Sequence, residues 1–451
     1  MSQESSQKAN AGLEMPHSQA HDPKPSKEGS DVVSIKQKRP LKIALLGYRS
    51  HPYCGGQGVY LNYLSKALVE QGHRVDVISG EPYPILDERV RLVKIPGMNL
   101  FETNHVTALR PQHLRSATDL IEYFDMLTGG FPEPMTFGRR LVKYLKAHRT
   151  DYDVIHDNQS LCFGLLDIQK MGIPTIATIH HPIHRDLQIA LGKTKNWKER
   201  ALIRRWHSFL LMQNHVVKRL NNVVTVSKRS QKDIAKAFKI PFDSIDLVYN
   251  GIDTDVFKPM PEIKRRKFRL MSTASADVPL KGLDVLIKAM GELTQKYPEL
   301  DLLVIGKPKP GGDTERLIKK LELTDRIQFV SGVETEVIVK HYAETTVAVS
   351  PSIYEGFGLP AGEAMACGVP LVSSDGGALP EIVGDAGVQV KAGDVEQLTT
   401  AIDGLLADAS KRDHYAQAGR ARIVELFSWK VAAQQMTDYY RQVIEKESRA
   451  Y

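Results

Sequence analysis

KIALLGYRSHPYCGGQGVYLNYLSKALVEQGHRVDVIS, residues 42–79, decides the fold. Residues 42–47 are a short apolar run ending in glycine, and residues 48–58 a loop carrying Gly55, Gly56 and Gly58. Residues 59–71 alternate as one face of a helix does. Gly72 stands where a helix needs a left-handed residue to stop, and HRVDVIS resumes as a strand. Strand, glycine-rich turn, helix and strand make a βαβ unit.

Working outward, strand-like runs recur at Val154–His156, Thr175–Ile179 and Val223–Val226, separated by helical patterns, as in a parallel sheet wrapped by helices. After NGIDTDVFKP (Asn250–Pro259) and the basic connector EIKRRK, the alternation restarts with FRLMST, a helix from Gly282, DLLVIG, IQFVSG, TVAVSP and VPLVSS. The expected class is α/β, with two Rossmann-like doubly wound domains facing a cleft: residues 41–262, then 263–427, with residues 428–451 as a C-terminal helix. Residues 1–40 are rich in Ser, Gln, Lys, Glu, Pro and His, and read as a disordered tail.

The 451 residues are 42% hydrophobic and 25% charged, a balance that argues against wholesale disorder or a fibrous chain. No apolar run approaches the ~18 residues of a membrane span, and Met1 is not followed by a secretory-type apolar region. Cys54, Cys162 and Cys367 are scattered and odd in number, suiting a reducing compartment. The expectation is a cytoplasmic protein. Its net charge of +7 favours anionic partners without choosing among nucleotides, nucleic acid and lipid.

The densest chemical signal is Glu355-Gly-Phe-Gly-Leu-Pro-Ala-Gly-Glu363, directly after TVAVSP. Pro360 suits a first helical turn, and Gly368 and Pro370 suit its stop, so a helix is predicted over about Leu359–Cys367. The free N–H groups of Gly358 and Leu359 at its start would face an anion such as a diphosphate. Glu355 and Glu363, acceptors when ionised, suit sugar and ribose hydroxyls. Lys281, before Gly282 and a helix start, could neutralise charge on a leaving diphosphate.

At these residues the chain resembles the retaining nucleotide-sugar glycosyltransferases of the two-Rossmann-domain (GT-B) type, glycosyltransferase family 4. The resemblance spans roughly Leu41 to Glu445. It rests on Gly55–Gly58, Asn250–Pro259, Lys281-Gly282, the Glu355/Glu363 pair and Asp375-Gly-Gly…Pro380-Glu381. It implies a nucleoside diphosphate sugar as donor substrate, a hydroxyl acceptor, no cofactor and no nucleic acid partner.

The resemblance also implies residue roles. Glu363 would hold the ribose, Glu355 the donor sugar hydroxyls, and Gly356, Phe357, Gly358 and Leu359 the diphosphate, with Gly55 and Gly56 facing it from the first domain. His180 matches the family's active-site histidine, and residues 428–451 would cross back to the first domain. Where the family usually has an Arg six residues before Lys281, this chain has Ser275; Lys307 or Lys309 could substitute. Base contacts are expected through backbone near Ser331 and Gly332. For His156 and His181, a site role and a plain structural role stay open.

Asp151-Tyr-Asp153 and Asp253-Thr-Asp255 spell the divalent-cation motif of another glycosyltransferase fold. The first opens a strand, at the wrong end for a ligand, and the second sits in the interdomain segment, so no metal site is expected. A dinucleotide oxidoreductase would need G-x-G-x-x-G after Gly47, where Tyr-Arg-Ser stands. A sugar-nucleotide epimerase, a sugar phosphorylase and a non-catalytic nucleotide-sugar binder stay open.

Residues 185–219 carry nine basic residues against two acidic ones. Read as one helix, Leu202, Trp206, Phe209, Leu210, Val217 and Leu220 share a face that would pack on the domain, with Arg200, Arg204, Lys218 and Arg219 opposite. Trp197 falls among the basic residues. Two readings stay open: a solvated basic face, or a surface (Trp197, Arg200, Arg204) that docks on anionic lipid at the cytoplasmic face of a membrane and serves a lipid or lipid-linked acceptor.

Overall fold

The computed structural model describes residues 39–52, 56–100, 107–274 and 276–449. The expected tail, up to residue 38, lies outside the described residues, as do Cys54, Gly55 and Ser275.

Seven parallel strands form the first sheet: β1 Lys42–Gly47, β2 Arg74–Ser79, β3 Arg91–Lys94, β4 Val154–Asn158, β5 Thr175–Ile179, β6 Val223–Thr225 and β7 Ile245–Leu247, in the order β3-β2-β1-β4-β5-β6-β7. Six more form the second: β8 Arg269–Thr273, β9 Asp301–Ile305, β10 Ile327–Val330, β11 Val347–Ser350, β12 Leu371–Ser374 and β13 Val388–Val390, in the order β10-β9-β8-β11-β12-β13. In both sheets the order reverses beside the first strand, the place where ligands of open α/β sheets bind.

The period of two along each strand divides the cores. Ile43 and Leu45 of β1 pack with Leu64 and Leu68 of the helix Gln57–Glu70, whereas Ala44 and Leu46 face Phe137, Leu141 and Leu165. In the second sheet Leu270, Leu302 and Val372 face Leu286, Met290 and Ile402, while Met271, Leu303 and Leu371 face Met365 and Ile382. Both faces are covered, so the interior strands are buried and mainly apolar, with polar residues gathering at ends such as His156–Asn158 of β4. The last helix, Trp429–Ser448, buries Met436, Tyr440 and Val443 in the same core as Ile43 and Leu45. The chain enters it through a bridge between Ile252 and Ser428.

The sequence reading has no counterpart for β3, β7 and β13. Each is a sheet edge of three or four residues, RLVK, IDL and VQV, covered on too few sides to need an apolar run. The single basic helix is also corrected. The chain breaks at His207–Ser208 into helices Trp197–Trp206 and Phe209–Val217, which turns the wheel: Leu202 is 59% exposed instead of packed. Among the described residues no helix is long and apolar enough to cross a membrane.

Candidate active site

A cavity of about 470 Å³ is lined by residues that follow the carboxyl ends of strands in both sheets: Gly56 after β1, Gln159 after β4, His180 and His181 after β5, Val226 after β6, and Tyr354, Gly356, Phe357, Leu359 and Glu363 after β11. Asn250, Asp253 and Trp429 complete the wall where the two halves join. Gly56 begins the helix Gln57–Glu70 at φ 73°, and Gly358 begins the helix Leu359–Ala366 at φ 104°, so two helix N-termini with free amides are associated with the cavity.

Glu363 lies in the second turn of the helix Leu359–Ala366, half-buried on the cavity wall, and burial pushes its carboxyl up to about 7. Such a group is poised to ionise when hydroxyl donors arrive. Glu355 stands just behind the wall. Its Oε1 accepts from Lys281 Nζ at 2.8 Å and from Ser352 Oγ at 2.8 Å. Lys281 and Glu355 are thus brought together, each fixing the other beside the cavity, with Tyr354 and Gly356 carrying the wall on either side.

The glycines of the Asp375-Gly-Gly motif and of Lys281-Gly282 serve that placement. A Cβ on Gly377, which has φ 70°, would come within 2.1 Å of the Glu355 carbonyl oxygen, which itself accepts from Ala378 N at 2.9 Å. On Gly282, at φ 62°, a Cβ would meet the Pro351 carbonyl oxygen at 2.0 Å. Both positions need glycine for its conformation and for close backbone approach.

His180 ends β5 on the cavity wall. Its Nε2 is 2.7 Å from Asn158 Oδ1, its backbone N–H donates to Gln159 Oε1 at 2.6 Å, and its ring meets Tyr60 edge-on at 4.7 Å between centroids. Burial first, and the neighbouring His181 second, hold its pKa down to about 3, so the imidazole is neutral at working pH. His156 is different. Both its ring nitrogens are occupied, by Tyr440 Oη and Thr178 Oγ1 at 2.6 Å each, and it is buried: a structural histidine joining β4 and β5 to the last helix. His181 lines the cavity and reaches Asp186 at 3.2 Å.

Several contributors were not legible in the sequence. Ser227 Oγ donates to the Gly356 carbonyl at 2.7 Å, and Ser230 Oγ lies within 3.1 Å of that oxygen and 3.0 Å of the His180 carbonyl. Tyr354 donates to Asp233 Oδ2 at 2.6 Å beneath the Arg185 guanidinium, 3.5 Å from its ring centroid. These residues are singly placed polar groups whose partners lie 50 to 169 positions away, so local spacing cannot pair them.

The other expectations sort as follows. Ser331 and Gly332 are exposed at the end of β10 and are not on the wall, although Thr335 and Ile338 of the next helix are. Lys307 and Lys309 do not line it either. Asp153 accepts from Lys42 N at 2.8 Å, and Asp253 Oδ1 from the N–H groups of Asp255 and Val256 at 3.1 Å each. Among the described residues no three His, Cys, Asp or Glu side chains gather as a metal site would require. Trp197 is 73% exposed and Arg204 is exposed, but Arg200 is tied down by donating to the carbonyls of Leu191 at 2.5 Å and Thr194 at 3.1 Å.

Residues 54–256 match the family described as Glycosyltransferase Family 4, and residues 259–422 that described as Glycosyl transferases group 1. The chain is 42% identical over 409 residues to the "MMP alpha-(1->4)-mannosyltransferase" of Mycolicibacterium hassiacum, covering 90% of this chain and 98% of the relative. The chain belongs to glycosyltransferase family 4. As a family 4 glycosyltransferase it also shares 30% identity over 252 residues, 51% of this chain and 66% of the relative, with the "GDP-mannose-dependent alpha-(1-6)-phosphatidylinositol monomannoside mannosyltransferase" of Mycolicibacterium smegmatis. Its two-domain GT-B fold matches that of sucrose-phosphate synthase from Thermosynechococcus elongatus, with a TM-score of 0.64 at 23% identity over 90% of this chain and all of that one.

Proposed function

We propose that this glycosyltransferase moves mannose, with retention at the anomeric carbon, from GDP-mannose to a hydroxyl of a glycan acceptor. The observation that carries this reading is the cavity between the sheets, with Glu363 on its wall and the Lys281–Glu355 pair beside it. Glu363 accepts from the ribose hydroxyls. The amides at Gly358 and Leu359, the helix terminus and the Lys281 ammonium meet the diphosphate, with Gly56 across from them. Glu355 orients the sugar, His180 faces it, and the base lies towards Thr335 and Ile338, which line the cavity next to the turn at Ser331 and Gly332. The choice of mannose and of guanine rests on the names of the two mannosyltransferase relatives.

In this scheme the bond from the anomeric carbon to the phosphate oxygen breaks while the acceptor oxygen bonds to that carbon on the same face. The acceptor proton passes to the departing phosphate oxygen. The protein's contribution is position and charge. For the acceptor we favour a membrane-linked glycan, with the enzyme peripheral on the cytoplasmic face. Supporting this, Trp197, Leu202, Leu211 and Phe124 are 73%, 59%, 77% and 57% exposed, with exposed Lys193, Lys195 and Lys198 beside Trp197 in the chain.

The test is a thermal-shift screen of GDP-, UDP- and ADP-sugars followed by acceptor trials, with the anomeric configuration of the product read by NMR. Stabilisation by GDP-mannose and an α-linked product are expected. An inverted product, or conversion of the donor to another sugar nucleotide without acceptor, would overturn the reading.

A further inference from the structure

Asn158 was not singled out by any motif, yet its side chain joins two parts of the cavity. Its Nδ2 donates to the Gln57 carbonyl at 3.0 Å, at the start of the helix that follows the glycine loop. A carbonyl oxygen can only accept, so the amide nitrogen must face Gln57 and the amide oxygen must face His180. That oxygen, 2.7 Å from Nε2, also only accepts. His180 therefore carries its proton on Nε2, which leaves Nδ1 as a lone-pair acceptor without a protein partner among the described residues.

We propose that Asn158 is a positioning residue for catalysis: it fixes the His180 tautomer so that Nδ1 accepts a hydrogen bond from a hydroxyl of the bound sugar. This rests on the reading of His180 as a group that faces the reacting sugar. Tyr60, edge-on at 4.7 Å, opposes rotation of the ring, while Gln159 holds the backbone beneath it, its amide receiving the His180 backbone N–H at 2.6 Å and donating to the His181 carbonyl at 2.8 Å. Gln159 sits at φ 58°, a conformation that a non-glycine residue rarely adopts, so this turn is held in place by its contacts.

Protonation would convert Nδ1 from acceptor to donor. The titratable groups around the ring are His156 and Asp157 on β4, Tyr60 on the helix Gln57–Glu70, His181 next in the chain, and Tyr63, Asp253 and Glu363 on the cavity wall. Asp157 turns its carboxylate to Ser160 and the Leu161 N–H, away from the imidazole. Thus the contact made to Nε2 is a neutral amide, and a carboxylate in its place would draw a second proton onto the ring.

The experiment uses the full chain labelled with ¹⁵N-histidine, the His180 signals being assigned by their loss in His180→Gln. Wild type should show a protonated Nε2 and a bare Nδ1 from pH 8 down to pH 5. Asn158→Ala should give a tautomer mixture, and kcat with GDP-mannose should fall on the order of tenfold, as for one lost hydrogen bond, at little change in KM. Asn158→Asp should raise the pH at which the ring protonates and move the acid limb of kcat upward with it. Asn158→Ala with an unchanged tautomer would overturn the proposal, as would a pH profile for Asn158→Asp that coincides with wild type. Full activity of His180→Ala, together with a His180 tautomer that differs between wild type and Asn158→Ala, would instead overturn the role given to His180.

Discussion

The carboxylate of Glu381 accepts from the backbone N–H of Lys228 at 2.7 Å and, through its other oxygen, from that of Arg229 at 2.8 Å. Glu381 belongs to the half built on the second sheet and Lys228 opens the helix Lys228–Phe238 of the first, so one half places a charge on the helix terminus of the other. Tyr249 adds a third donor at 3.3 Å. This contact gives the Pro380-Glu381 end of the motif a physical role: it joins the halves directly beside Ser227, which holds Gly356.

Replacing Glu381 with Ala removes all three bonds to its carboxylate and should weaken this junction by about 1–2 kcal/mol. The expected result is a larger radius of gyration for the donor-free protein and a roughly tenfold weaker apparent affinity for GDP-mannose. Scattering and KM identical to wild type would count against the junction as a control on closure.

Glu363 sets a pH dependence on donor binding. With its carboxyl raised to about 7 by burial, it is largely protonated at pH 6, whereas the ribose hydroxyls need it ionised. Binding should therefore release a proton below pH 7 and tighten as pH rises from 6 to 8. Titration calorimetry in buffers of different ionisation enthalpy reads that proton directly. In Glu363→Gln the proton release should vanish and affinity fall. A proton release unchanged in that variant would assign it to another group.

The same raised pKa has a stability consequence of fixed sign. The unfolded carboxyl ionises near its ordinary 4.5 and the folded one about 7. Glu363 thus adds stability below about pH 4.5, and this is lost as pH rises through 7. Denaturant titrations of wild type and Glu363→Gln should therefore diverge between pH 5 and 8, the wild type losing stability relative to the variant.

What was legible in the sequence follows from what each feature requires physically. The interior strands are covered on both faces, so they are mainly apolar until their carboxyl ends, where β4 turns to His156–Asn158, and runs such as Thr175–Ile179 showed themselves; the edges β3, β7 and β13 carry no such demand. Glu355, Glu363 and the glycines lie on one continuous segment around a helix start, where local chemistry fixes residue types. Asn158, Ser227 and Glu381 act on backbone atoms of distant elements, and nothing near them in the chain records the partner. The basic stretch misled for a related reason: Asn196 accepts from Lys198 N and starts a short helix that stops at Trp206, so a wheel drawn through residue 220 mixes two axes.

Glu355→Ala should lower kcat by more than it weakens donor binding, because its placement on the sugar pays out only as charge develops there. Lys281 would lose the carboxylate it now faces at 2.8 Å, and its ammonium would still be near the diphosphate. Lys281→Ala should then impair both binding and turnover. Activity of either enzyme should be indifferent to EDTA, since Lys281 and the helix terminus supply the positive charge assigned to the diphosphate; restoration of lost activity by Mn²⁺ would contradict that assignment. Weaker donor binding at an unchanged kcat for Glu355→Ala would show that it serves binding alone.

The surface around Trp197 is the place to test for a membrane acceptor. Trp197 is 73% exposed with the Lys198 ammonium 5.8 Å from its ring centroid, and Leu202 on the same helix and Leu211 on the next are also exposed. An indole beside cations and apolar side chains fits a bilayer interface. Each basic residue near an anionic surface contributes on the order of 1 kcal/mol, so binding should weaken with salt. Because Arg200 holds the Leu191 and Thr194 carbonyls, reversing its charge would disturb the loop it closes; Lys198→Glu with Arg204→Glu is the cleaner reversal. Cosedimentation with phosphatidylglycerol vesicles should be strong at low salt, reduced at high salt, and lost on combining that reversal with Trp197→Ala, while turnover on a soluble glycan is retained. Absence of vesicle binding at low salt would make a soluble acceptor the better reading, and the exposed leucines would then need a protein partner instead.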